Sequence, residues 1–166
     1  RMTSMTFHVR PSRPEDAAAA CQVVRDAIEQ CCAEDHEGSP TRLAAWLRNK
    51  TPDNFLAWME RGDLYGVVAE DETGVVGFGM VSVEGELLLC YVAPTVLHQG
   101  AGKAMLQAME QWATTTGLTG LRLESTQTAL AFYGRHGFVA SGPSVSYAGM
   151  TSQPMRKHFP DATHTS

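Results

Sequence analysis

Hydrophobic and polar positions along the chain change period several times, and each change marks an element. "TFHVR", Thr6 to Arg10, alternates and predicts a short strand. In "PSRPEDAAAACQVVRDAIEQCC" the period lengthens. Ala20, Val23, Val24, Ala27, Ile28 and Cys31 form one apolar stripe at helical spacing. Ser12 can cap that helix, with Pro14, Glu15 and Asp16 in its first turn. "AEDHEGSP" breaks it, and "SPTRLAAWL" and "TPDNFLAWMER" predict further short helices. "DLYGVVAED" and "VVGFGMVSV" read as strands joined at "ETG", and "EG" after Val83 links them to "ELLLCYVAP". That run is a buried strand stopped by Pro94. A long helix follows, with Met105, Ala108, Met109 and Trp112 on one face and Gly117 at its end. "LRLES" is a strand, "TALAFYGRHG" a short helix ended by Gly137, and "FVASG" a strand. A last strand lies within "SVSYAGMTSQPMRK".

This order predicts an α/β fold with a mixed central sheet of about six to seven strands and helices on both faces. No repeat or linker interrupts it, so residues 6–158 form a single domain. Residues 1–5 are expected to be a remnant ahead of a native start at Met2 or Met5, or disordered, and 159–166 a disordered tail.

Composition narrows the function classes. Of 166 residues, 43% are hydrophobic and 19% charged, as in a globular protein. The net charge of −5 argues against a general nucleic-acid binder. No apolar run approaches the roughly 20 residues that span a membrane, and no secretory signal opens the chain. Cys21, Cys31, Cys32 and Cys90 contain no CxxC pair, and reduced thiols in a cytoplasmic protein are the simplest reading.

"HQGAGKAML", His98 to Leu106, places glycines where a helix must begin. The first N–H groups of a helix lack internal partners, and glycines let a ligand approach them, so a strand, this turn and a helix start make an anion site. A plain strand-to-helix turn is the alternative. The stretch is neither of two well-known phosphate loops. Ala104 stands where a P-loop needs Ser or Thr, with Leu97 at its first glycine, and Met105 stands where a dinucleotide loop needs its third glycine.

A third pattern fits. "YVAPTVLHQGAGKAML" resembles the acetyl-coenzyme A motif of the GNAT superfamily of N-acetyltransferases, with Gln99-Gly100-Ala101-Gly102-Lys103-Ala104 behind Val92-Ala93-Pro94. "TALAFYGRHGF" resembles the family's second segment, with Ala129, Tyr133, Gly137 and Phe138 in place. The opening "VRPSRPEDAAAA" is similar to the family's first strand and helix. Thr126 departs from the pattern, since an Asn is common there.

The resemblance implies a GNAT fold, acetyl-CoA as cofactor and direct transfer of an acetyl group to an amine. Main-chain N–H groups from His98 to Ala104 would bind the pyrophosphate. Tyr91 and Val92 would bond the pantetheine through the strand backbone. Leu97, Thr126, Ala129 and Phe132 would complete the cofactor site, and Arg135 either reaches a coenzyme phosphate or is a solvated surface arginine. Tyr133 matches a tyrosine placed near the coenzyme sulfur and is assigned as general acid, with packing beside Phe132 as the alternative. Glu86 opens the buried strand, shares a face with Leu88, Cys90 and Val92 by alternation, and resembles the catalytic Glu of the histone-acetylating branch. A solvated glutamate at a hairpin end is the alternative for Glu86, and Glu124 and a chain of waters are the other candidate bases.

The remaining chemistry-bearing residues carry less. Cys90 reads as a small buried residue rather than a nucleophile. "CCAEDHEG" is too irregular for a metal site, and none is expected. Its Glu34, Asp35 and Glu37 either attract a cationic amine or form a solvated loop. Trp46, Phe55 and Trp58 belong to the core or wall the acceptor pocket. The expected partner is a small-molecule or peptide amine, with a homodimer possible and no nucleic acid or membrane. A non-catalytic acyl-CoA sensor and an acyltransferase using longer chains are the alternative functions.

Overall fold

The computed structural model describes residues 6–160. In chain order it contains β1 (His8–Pro11), α1 (Ala17–Cys31), α2 (Ala33–His36), α3 (Pro40–Leu47), α4 (Pro52–Met59), β2 (Leu64–Asp71), β3 (Gly74–Ser82), β4 (Leu87–Val92), α5 (Ala101–Thr115), β5 (Gly120–Ser125), α6 (Leu130–Arg135), β6 (Val139–Ala140), β7 (Val145–Tyr147) and β8 (Met150–His158).

Local chemistry sets the boundaries. Ser12 does not cap the first helix. Its N–H instead extends β1 onto the Gly66 carbonyl at 2.8 Å. Asp16 takes the capping role, its Oδ2 accepting from the Arg13 N–H at 2.8 Å, and closes a 3₁₀ turn over Pro14–Asp16 that leads into α1. Arg10 grips the same carboxylate at 2.9 Å and reaches Glu70 at 3.1 Å, tying β1, α1 and β2 together. The helices α3 and α4 begin as Ser and Thr caps require: Ser39 Oγ accepts from the Arg42 N–H and Thr51 Oγ1 from the Asn54 N–H, each with proline next. The expected break after α1 contains the single turn of α2, which ends at Glu37 with φ of 55°.

The α/β expectation holds, but the sheet is divided. The strands β1-β2-β3-β4 form one antiparallel sheet, and β5-β8-β6 a second, with β7 also on β8. One parallel bridge, Glu86 to Arg122, joins the halves, and the Arg122 N–H donates to the Gly85 carbonyl at 2.9 Å. Among the described residues no other ladder joins β4 to β5. The described residues contain eight strands rather than six or seven, because "SVSYAGMTSQPMRK" folds as a hairpin. Ala148 and Gly149, with φ of 53° and 80°, turn it.

A bulge in β4 decides which side chains face where. Met80 pairs with Leu89 and Val81 with Leu87, which leaves Leu88 as an extra residue. The alternation therefore reverses. Leu87, Cys90 and Val92 pack on the α5 side, while Leu89 and Tyr91 pack on the α1 side. The expectation that Glu86 shares one face with Cys90 and Val92 fails at this bulge.

Glycines let α5 lie close on β3. A Cβ at Gly79 would stand 2.7 Å from the Met109 methyl and 3.3 Å from Val67. Gly79→Val is expected to destabilise the protein by about 1–3 kcal/mol through overpacking. The check is thermal unfolding: an unchanged midpoint would show that this seat has slack.

Phe159 donates its N–H to the Thr119 carbonyl at 2.8 Å and packs on the α5 cluster. The ordered chain thus runs past the boundary expected at His158. Residues 1–5 and 161–166, for which a remnant and a disordered tail were expected, lie outside the described residues. Among the described residues no helix is long and apolar enough to cross a membrane.

Candidate active site

The stretch before α5 is built around positive backbone angles. A 3₁₀ turn over Pro94–Val96 leads to His98 at φ of 64° and Gly100 at 99°. Nothing lies within 4 Å of where a Gly100 Cβ would sit, so the conformation rather than space selects glycine. A histidine held in the left-handed region is strained, and such strain gathers at ligand-facing loops. The N–H groups of His98, Gly100, Ala101, Gly102 and Lys103 meet no acceptor among the described residues. Two N–H groups expected to bind phosphate are already engaged. Gln99 donates to the Val96 carbonyl at 3.2 Å, and Ala104 closes the first helical bond onto Gly100 at 3.0 Å.

His98, Gly100, Gly102 and Lys103 border a cavity of about 600 Å³. Of the expected cofactor residues, Tyr91, Val92, Leu97, His98, Gly100, Gly102, Lys103, Thr126, Ala129, Phe132, Tyr133 and Arg135 line it. Gln99, Ala101 and Ala104 do not, and Ala101 is buried in the α5 core. The opposite wall is Ala27, Cys31, Cys32 and Glu34, from α1 and α2. The cavity is electrically polarised: Lys103 and Arg135 belong to the α5–α6 wall, and Glu34 is the one carboxylate of the lining.

Tyr133 stands where this cavity meets a smaller cleft of about 50 Å³. Both are lined by Cys90, Tyr91, Thr126, Ala129 and Tyr133. The helix α6 places the ring edge-on to Phe132 at 5.2 Å and to Phe138 at 5.5 Å. The residue is only 6% exposed, yet its hydroxyl has no partner among the described residues and is not sealed from solvent. The hydroxyl is therefore open to solvent in a residue that lines both clefts. Burial, with Cys90 and Tyr91 adding to it, holds the phenol well above its ordinary pKa, so it stays a loaded proton donor.

The carboxylates sort differently from the sequence expectation. Glu86 is not brought to either cleft. It sits at the bridge between the half-sheets, its side chain 42% exposed and 4.0 Å from Arg122. Glu124 lines the smaller cleft, and its Oε1 accepts from Ser152 Oγ at 3.0 Å. Glu37 pairs with Arg42 at 2.7 Å, and Asp35 is buried.

His36 is buried in a helix cap. Its Nδ1 accepts from the Gly38 N–H at 3.1 Å, and its Nε2 bonds the Ile28 carbonyl at 3.1 Å. Burial pushes the Cys90 thiol up to about 12, which removes it as a nucleophile. Phe55 is fully buried, Trp46 and Trp58 pack with it on the α1 side, and none of the three lines the cavity.

The lining includes residues that sequence reasoning missed. His136 stacks edge-on to Phe132 at 4.8 Å, one helical turn beyond the assigned tyrosine. That i, i+3 spacing from Tyr133 was the available signal. Thr128 carries no such signal, because a backbone turn brings it to the cavity.

The chain is 30% identical over 100 residues to an IAA acetyltransferase of Azospirillum brasilense, a match spanning 55% of this chain and 65% of that relative. A crystal structure of a GCN5-related N-acetyltransferase from Rhodopseudomonas palustris superposes with a TM-score of 0.83 at 26% identity, covering 96% of this chain and 99% of that one. PaiA N-acetyltransferase from Thermoplasma acidophilum, solved in complex with coenzyme A, shares the fold. Its TM-score is 0.78 at 21% identity, over 93% of this chain and 100% of that one. The family model for the acetyltransferase (GNAT) domain matches residues 32–159, which is most of the sequence: the chain belongs to the GNAT acetyltransferases.

Proposed function

We propose that this protein transfers an acetyl group from acetyl-CoA directly to a primary amine while both are bound. The observation that carries the reading is the position of Tyr133, which lines both a polarised cavity and a second cleft and whose hydroxyl has no partner among the described residues.

The residues present fit the coenzyme. The free N–H groups of Gly100 to Lys103, with the Lys103 and Arg135 side chains, suit a pyrophosphate. Gly102 leaves the backbone open beside Phe132 and Val92. The edge of β4 that faces away from β3 offers main-chain groups to the amide arm of the pantetheine. Acetyl-CoA supplies an acyl group on a thiol, which leaves more readily than an alkoxide or an amide nitrogen. Tyr133 donates its phenolic proton toward the departing sulfur.

The amine must lose a proton before or during attack. Glu124 is the carboxylate at the smaller cleft, and Ser152 orients it. Glu34 gives the acceptor end of the larger cavity a negative charge suited to a cationic amine. Glu124→Gln is expected to lower kcat by about 10²–10⁴-fold, and Glu86→Gln to leave it unchanged. The reverse result would return the base to Glu86, and two fully active variants would point to water.

Acetyl transfer to a broad amine panel, read by product mass, tests the function itself. An acetylated product supports the enzyme. Coenzyme binding without any product supports a sensor instead, and absence of binding overturns the reading of the α5 turn.

A further inference from the structure

Asp35 makes a connection that neither the family match nor the acetyl-transfer reading explains. It lies on α2 and is 6% exposed. Its Oδ1 accepts from the Gln127 N–H at 2.6 Å. Its Oδ2 accepts from Thr128 Oγ1 at 2.6 Å and from the Thr128 N–H at 3.2 Å. No cation shares the carboxyl group among the described residues. A buried carboxyl that spends its lone pairs on a remote backbone turn is fixing that turn in place.

The turn is the base of α6. Thr126 Oγ1 accepts from the Ala129 N–H at 3.1 Å, so Asp35 and Thr126 together hold the N–H groups of Gln127, Thr128 and Ala129. The Ala129 carbonyl then accepts from the Tyr133 N–H at 3.1 Å. Asp35 is thus one turn of helix from the phenol. On its other side Cys32 and Glu34 belong to the same segment and line the cavity. The charge of Asp35 also reaches that lining. It adds to burial in raising the Cys32 thiol, and adds a smaller push to Tyr91.

We propose that Asp35 is a positioning residue, which locks the acceptor wall at α2 to the Thr126–Ala129 turn and so holds the Tyr133 hydroxyl at the junction of the two clefts. The proposal rests on the reading of Tyr133 as proton donor. Removing the lock displaces the hydroxyl without removing it. A displacement of about 1 Å in such a group lowers turnover on the order of a hundredfold.

The test is a double-mutant cycle on the full chain, with kcat, acceptor KM and coenzyme affinity measured for Asp35→Asn, Tyr133→Phe and the pair. Asparagine keeps one acceptor oxygen but turns an amide N–H₂ toward the Thr128 N–H. Asp35→Asn is expected to lower kcat ten- to a hundredfold, as an order of magnitude, with coenzyme affinity little changed. In the Tyr133→Phe background it is expected to cost almost nothing more. A purely structural role would give equal losses in both backgrounds, and that additivity overturns the proposal. Full activity of Tyr133→Phe alone overturns the donor reading and the proposal with it. A slow Tyr133→Phe beside a fully active Asp35→Asn overturns only the proposal. Should Asp35→Asn fail to fold, Thr128→Val removes the hydroxyl bond alone. It is expected to lower kcat in the same direction by a smaller factor, again non-additively with Tyr133→Phe, and no effect overturns the lock.

Discussion

Tyr133→Phe is expected to lower kcat by about 10²–10⁴-fold while coenzyme affinity stays within about threefold. The substitution is clean because of where the hydroxyl points. It has no partner among the described residues, so its loss strands no buried donor or acceptor. The ring keeps its contacts with Phe132 and Phe138, and the thermal midpoint is expected to hold. Burial keeps the phenol neutral well past its ordinary range, so it sets no limb of the wild-type pH profile. The mutant profile should therefore keep its shape and drop in height. Stopped assays over a pH series with product mass as readout decide this. A fully active mutant assigns the tyrosine to packing alone.

Gly102→Val is expected to weaken coenzyme binding by on the order of a hundredfold, equivalent to about 2.8 kcal/mol. A Cβ at this position already touches the Phe132 ring at 3.4 Å and approaches Val92 at 3.9 Å. The two further carbons of valine extend into the space between the α5 turn and that ring. Gly102→Ala separates binding from folding. Alanine in a helix gains up to about 1 kcal/mol over glycine, so its midpoint should rise while affinity falls a few-fold. Titration calorimetry with coenzyme A measures the affinity arm and thermal unfolding the other. Wild-type affinity in Gly102→Val would mean that the turn does not meet the phosphates.

The elements that carry the site could be read from the sequence because their signals are local. Helical spacing from Met105 to Trp112 and the glycines before it place α5 and its exposed N–H groups. The spacing of Ala129, Tyr133 and Gly137 places α6. The failures have a common physical cause, since each depends on a competition that spacing does not record. In "ELLLC" the bulge at Leu88 has no marker, because a run of leucines looks the same in either register, so simple alternation puts Glu86 on the wrong face. Ser12 and Asp16 both suit a helix start, and the partner at Gly66 decided between them. The β7–β8 hairpin turns at Ala148 and Gly149 rather than at the usual Asn-Gly, so the sequence carries no clear mark of this turn. The bonds from Asp35 to Gln127 and Thr128 join parts of the chain far apart in sequence, where no pattern reaches.

The single bridge at Glu86 and Arg122 leaves two unfinished strand edges facing one another, β4 on one side and β5 on the other. An open edge is a template for pairing with another chain, and proteins ordinarily cover it. If the amide arm of the coenzyme fills that gap, the ligand supplies the missing contact between the halves. Stability then rises with coenzyme concentration, by about 2.7 kcal/mol at a hundred times the dissociation constant. The same occupancy removes the edges from self-association. On the proposed reading, coenzyme concentration then sets what fraction of the protein is folded and dispersed, as well as how fast it works.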